Sequence, residues 1–109
     1  MPVDDLKVVD IVSIDLDGNV VLTISDHLEW DLKNEHILIL QKKLNAYLSF
    51  IESGELYESY SNAKDRKIII QLAIKYLPDE TGRKFIQLVK EFLLGEGYNF
   101  ICNTDLVKV

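Results

Sequence analysis

Leu32-Lys33-Asn34-Glu35-His36-Ile37-Leu38-Ile39-Leu40-Gln41-Lys42-Lys43-Leu44-Asn45-Ala46-Tyr47-Leu48-Ser49-Phe50-Ile51-Glu52-Ser53 is the stretch on which the reading of this chain turns. Ile37, Leu40, Leu44, Tyr47, Leu48 and Ile51 recur at three- and four-residue steps, which places them on one side of a helix. Leu38 and Phe50 widen that stripe, so the helix reads as a core element. This phase leaves Lys43 on the solvated side. Its truncation to alanine is then a surface change, worth at most about half a kcal/mol. Leu44→Ala, at the centre of the stripe, should cost on the order of 2–5 kcal/mol. Asp31 is placed to cap the first turn with its carboxylate, and Gly54 to close the last turn in a left-handed conformation.

Two strand-like segments precede this helix. Val8 to Asp15 and Val20 to Ser25 are rich in Val and Ile with polar residues interleaved. Asp17-Gly18-Asn19 between them is turn chemistry. A three-residue loop at those positions pairs Leu16 with Val20, Ile14 with Leu22 and Val12 with Ile24, collecting six apolar residues on one face. After Gly54 comes a polar, tyrosine-containing connection from Glu55 to Arg66. A third strand follows from Lys67 to Tyr76, with Ile68, Ile70, Leu72, Ile74 and Tyr76 on one face. Pro78 ends it. A second helix is expected from Asp79 or Glu80 to Leu94, burying Phe85, Leu88, Val89, Phe92 and Leu93, with Gly95 and Gly97 as stop signals. Tyr98 to Asn103 reads as a last strand, and Thr104 to Val109 is left open.

The order β-β-α-β-α-β defines an α+β fold class. We expect a two-layer α/β sandwich with an N-terminal antiparallel hairpin and two helices packed on one face of a mixed sheet. Right-handed crossovers make the third and fourth strands parallel. At 109 residues, 48% hydrophobic and 28% charged, the chain reads as a single soluble domain over residues 1–109. The 18 acidic residues exceed the 12 basic ones, for a net charge of −6. A nucleic-acid partner would require a basic stripe, and the sequence has none. No apolar run has the length needed to span a bilayer, and the acidic start Met1-Pro2-Val3-Asp4-Asp5 does not have the pattern of a signal peptide. Cys102 is the single cysteine, which suits a reducing cytoplasm, and it reads as a small apolar core residue.

Reactive side-chain types concentrate in Asp26-His27-Leu28-Glu29-Trp30 and Glu35-His36, which hold both histidines of the chain. Asp26, His27, Glu35 and His36 are the candidate metal ligands or base-and-orienter set. Their spacing matches no established metal signature, and no cofactor is implied. The other reading is a polar loop and helix start, with Trp30 packed over the edge of the core. Trp30, Tyr57 and Tyr60 stand outside the clear core stripes and are candidate partner-binding residues. The serines lack a nucleophile elbow, and Gly95-Glu96-Gly97 is a helix terminator rather than a phosphate loop.

Two runs, Val20-Val21-Leu22-Thr23-Ile24-Ser25-Asp26-His27-Leu28-Glu29-Trp30 and Leu44-Asn45-Ala46-Tyr47-Leu48-Ser49-Phe50-Ile51-Glu52-Ser53-Gly54-Glu55, flank Glu35-His36. Together they resemble a family of small bacterial proteins known only as a domain of unknown function. The resemblance continues through Tyr57-Glu58-Ser59-Tyr60 and covers most of the chain. It implies a bacterial cytoplasmic protein and assigns no activity or site. The leading expectation is a non-enzymatic protein-interaction module, an acidic partner or inhibitor of another protein. The alternative is a small metal-binding or hydrolytic enzyme using Asp26, His27, Glu35 and His36. A homodimer is also expected, through the sheet face that carries Ile11, Val21, Thr23, Ile69, Ala73 and Ile101, with Ile69 as the diagnostic contact.

Overall fold

The computed structural model describes residues 11–30 and 35–103. Four strands form one sheet in the order β1-β2-β3-β4: β1 Ile11–Ile14, β2 Val20–Asp26, β3 Ile68–Ile74 and β4 Asn99–Asn103. Helix α1 spans Glu35–Glu52, a short α2 spans Glu55–Ser59, and α3 spans Glu80–Gly95. The sheet is mixed. β1 runs antiparallel to β2, while β2, β3 and β4 are mutually parallel. The expected α+β sandwich is therefore the observed fold, with α1 and α3 as the two crossover helices. The expected cap at Asp31, the strand start at Val8 and the tail from Thr104 lie outside the described residues.

Period-two alternation in the strands builds the core. Val20, Leu22 and Ile24 of β2 align with Ile68, Ile70 and Leu72 of β3, and Ile70 with Phe100 of β4. These residues share one buried cluster with Leu40, Leu44, Tyr47 and Ile51 of α1 and Leu93 of α3. Tyr47 is fully buried, and its hydroxyl donates to the Thr23 carbonyl oxygen at 2.6 Å. The polar hydroxyl of a core aromatic is thereby satisfied by backbone. Helix α3 is capped by Asp79, whose carboxylate accepts the Gly82 N–H at 2.7 Å. Its other end closes on Gly97 at φ 92°, with Tyr98 N–H donating to the Leu93 carbonyl and Gly97 N–H to the Leu94 carbonyl. That pattern is a Schellman closure, so Gly97 is the glycine the helix end requires.

The hairpin differs from its expected register. Ile14 pairs with Val20 and Val12 with Leu22, so the three-residue loop is Leu16-Asp17-Gly18, not Asp17-Gly18-Asn19. Asp15 is the cause. Its carboxylate accepts the N–H groups of Asp17 at 3.0 Å and Asn19 at 2.8 Å, while Gly18 takes φ 84° and donates to the Asp15 carbonyl. An aspartate turn followed by a left-handed glycine has fixed the loop one position earlier. The bond from the Asn19 N–H, foremost among these contacts, holds the Asp15 carboxyl below its usual range. The face assignment of the hairpin survives the shift, except that Leu16 is fully exposed in the turn and Ile14 is exposed as well.

Three further expectations are corrected. The connection after Gly54 is not merely polar: α2 and a 3-10 turn at Ser61–Ala63 insert Leu56 and Ala63 into the core. On α3, Leu88 and Phe92 are 63% and 56% exposed, whereas Phe85, Ile86 and Val89 pack against the core. On α1 the buried residues are His36, Leu40, Lys43, Leu44, Tyr47 and Ile51, and Leu38 is exposed. The stripe is rotated from the most apolar arc because α1 faces two neighbours. His36, Leu40, Lys43 and Tyr47 follow a four-three-four spacing along one line, while Ile37, Leu44 and Leu48 border a cleft toward α3. Lys43 is 0% exposed, and its ammonium lies 5.5 Å from the centre of the Tyr47 ring, a cation–π distance.

Burial of Lys43 reverses its expected tolerance. Lys43→Ala should cost about 1–3 kcal/mol through lost packing and lost polar contacts. Leu44→Ala should cost about 2–5 kcal/mol. Denaturant titration of both variants measures this. A Lys43→Ala midpoint equal to wild type would place that side chain in solvent.

Candidate functional site

The three parallel strands end on the same edge of the sheet. Asp26 is the last residue of β2, Cys102 lies at the end of β4, and the first described turn of α1 brings His36 over this edge. Asp26 and His36 are 1% and 3% exposed. His36 Nε2 donates to the Asp26 carboxylate, at 2.6 Å from Oδ2 and 2.8 Å from Oδ1. Asp26 Oδ1 also accepts the Leu28 N–H at 3.2 Å, while the Asp26 carbonyl accepts the Lys75 N–H at 2.9 Å. One residue thus ties the end of β2 to the following loop, to α1 and to the strand beside it.

Trp30 completes the junction. Its ring lies 4.2 Å from the His36 ring, centre to centre, and its indole N–H donates to the Tyr76 carbonyl at 3.0 Å. The ring also rests on Gly82 of α3. A Cβ at Gly82 would fall 2.7 Å from the Trp30 ring and 2.9 Å from Pro78, closer than real contacts allow. Trp30 is a wedge between the starts of α1 and α3, only partly exposed. Nothing in the spacing of Trp30 and Gly82, fifty-two positions apart, signalled this contact.

The four candidate ligands do not converge. Asp26 and His36 meet, but His27 and Glu35 are exposed. Among the described residues, no group of three or more His, Cys, Asp or Glu is placed to hold a metal ion. In open parallel sheets this carboxyl edge is where ligands usually bind. Here the indole of Trp30 occupies the approach to His36. Cys102 is half-buried against the core. Burial first, and then the negative charge of Asp26, push its thiol up from the usual value, away from the reactive thiolate.

The partner-binding candidates separate. Tyr57 and Tyr60 are half-buried and pack against the core around α2. Ile69 is 7% exposed and Val21 8%, so this part of the reverse sheet face presents little apolar surface, while Ile101 is 46% exposed. Leu88 and Phe92, expected in the core, are among the exposed apolar groups, with Leu16, Leu38, Leu77 and Leu94. Among the described residues no helix is long and apolar enough to cross a membrane.

These features define an α+β sandwich domain whose strand-end junction is a packed Asp–His–Trp structure. The chain belongs to the family of unknown function DUF6572, whose model matches residues 1–106. No curated protein and no solved structure matches it.

Two outcomes follow from the junction. Gly82→Ala should displace Trp30, shift its fluorescence and cost about 1–3 kcal/mol by overpacking; an unchanged spectrum and midpoint would contradict the wedge. Alkylation of Cys102 by iodoacetamide should be slower than that of a free thiol and should keep accelerating above pH 9.0, because the raised value delays thiolate formation. A rate plateau below that pH would contradict the environment described.

Proposed function

We propose that this domain is a non-enzymatic protein-interaction module, an acidic partner or inhibitor that engages a basic surface on another protein. The carrying observation is the end of the molecule beyond α1. Burial, and then Glu52, Tyr57 and Glu96, raise the Tyr98 phenol above its usual value, which marks these groups as neighbours. Glu52, Glu55, Glu58 and Glu96 are all exposed, and Tyr57, Tyr60 and Tyr98 are half-buried. Tyrosines held by packing offer contact area at low entropic cost, and the glutamates supply a field that draws and orients a basic partner. The chain's net charge of −6 agrees in sign.

The alternative, a small metal-binding or hydrolytic enzyme, has the short Asp26–His36 contact in its favour. Stoichiometric zinc, manganese or iron in protein from its native cell, lost in Asp26→Asn, would support it.

For the leading reading, the untagged protein should co-purify from its native cell with a basic protein that dissociates as salt rises. Glu55→Lys combined with Glu58→Lys should abolish retention while leaving the thermal midpoint nearly unchanged, since both are surface changes. Retention that is indifferent to salt and to the double reversal would reject the proposal.

A further inference from the structure

A cleft of about 440 Å³ separates α1 from α3. Among the described residues its lining is apolar apart from Gln41 and Asn45, and it contains no charged side chain. Leu88 and Phe92 form one wall and still project into solvent, at 63% and 56% exposure. The same face therefore presents both a hollow and the knobs to fill one. That self-complementarity is what a two-fold contact requires.

Charge decides which occupant fits. Among exposed residues, α1 carries Glu35 and Glu52 against Lys42, and α3 carries Glu80 and Glu91 against Arg83, Lys84 and Lys90. The two helices are together close to neutral, although the chain as a whole has a net charge of −6. A second copy approaching this face meets less repulsion than it would at the glutamates around α2. A complementary pattern also runs along α3. Lys84 and Glu91 are both exposed and lie two turns apart on the same side of the helix, with Leu88 between them. A two-fold axis passing between Gln87 and Leu88 sets each Lys84 opposite the other copy's Glu91. Antiparallel α3 helices would then exchange two ion pairs around the central Leu88 residues, with each Phe92 directed toward the opposing cleft.

We propose that the α1–α3 face is a homodimer interface, with α3 packed antiparallel on α3 of a second copy of this chain. The contact is on the helical layer and independent of the acidic end invoked for a different partner.

Sedimentation equilibrium of the full chain, from about 1 μM to about 1 mM, tests it. Wild type should dimerise. Phe92→Glu should weaken the dimer on the order of thirtyfold or more, as loss of a central apolar anchor does. Lys84→Glu alone should weaken it, since it sets glutamates opposite one another, and Lys84→Glu combined with Glu91→Lys should restore it. Ile101→Lys, on the opposite face of the sheet, should leave it intact. All of these positions are exposed, and circular dichroism of each variant confirms that it is folded. A wild-type monomer throughout the range overturns the proposal. So does a dimer that survives Phe92→Glu, one that Ile101→Lys disrupts, or a charge swap that fails to rescue.

Discussion

Parallel pairing of β2 with β3, and of β3 with β4, is the constraint on which the rest of this structure depends. Parallel neighbours cannot be joined by a tight turn. Each needs a crossover of a dozen or more residues, and here each crossover contains a long helix. Both crossovers step in the same direction across the sheet, so the right-handed rule puts α1 and α3 on the same face. The layering, the single buried cluster and the helix-free reverse face of the described residues all follow from that geometry.

The same constraint gathers the polar chemistry. Strands β2, β3 and β4 end at one edge, and each crossover helix begins near it. Asp26, Trp30 and His36 of one short stretch meet Gly82 there, from a distant part of the chain. Burying a carboxylate and an imidazole is costly unless each is hydrogen-bonded. The short contact between them, together with the Leu28 N–H, offsets part of that cost and ties the end of β2 to α1. The missing Cβ of Gly82 then leaves room for Trp30 between the two helix starts. A location that commonly binds ligands has been packed with an indole instead.

Away from this edge the surface is divided by charge. Negative side chains concentrate around α2 and the end of α3, beside half-buried tyrosines. The helical face is nearly neutral and carries exposed Leu88 and Phe92 along an open cleft. The cleft exists because α3 packs onto β4 and the core through Leu93 and does not close against α1. Two chemically different surfaces on one small domain are suited to different contacts.

Local patterns in the chain determined the strands with their inward faces, and the two long helices. Alternation in Ile68 to Ile74 set the buried side of β3, the stop signal at Gly97 ended α3, and Asp79 capped it; each depends only on neighbours within a turn or a strand pair. The family resemblance was legible for the same reason, since it lies in contiguous runs. The hairpin register is locally encoded as well, in the Asp15 carboxylate that accepts the Asn19 N–H. Tertiary structure alone decided the rest. Whether Lys43 is inside depends on how α1 is rotated between the sheet and α3, and a lysine stem is long enough to be buried where its sequence neighbours suggest solvent. Leu88 and Phe92 are exposed because of the gap between two helices, which no periodicity within either helix encodes. Asp26 and His36 form a pair, while His27 and Glu35 do not join it, because strand and helix ends converge in space over distances the sequence does not record.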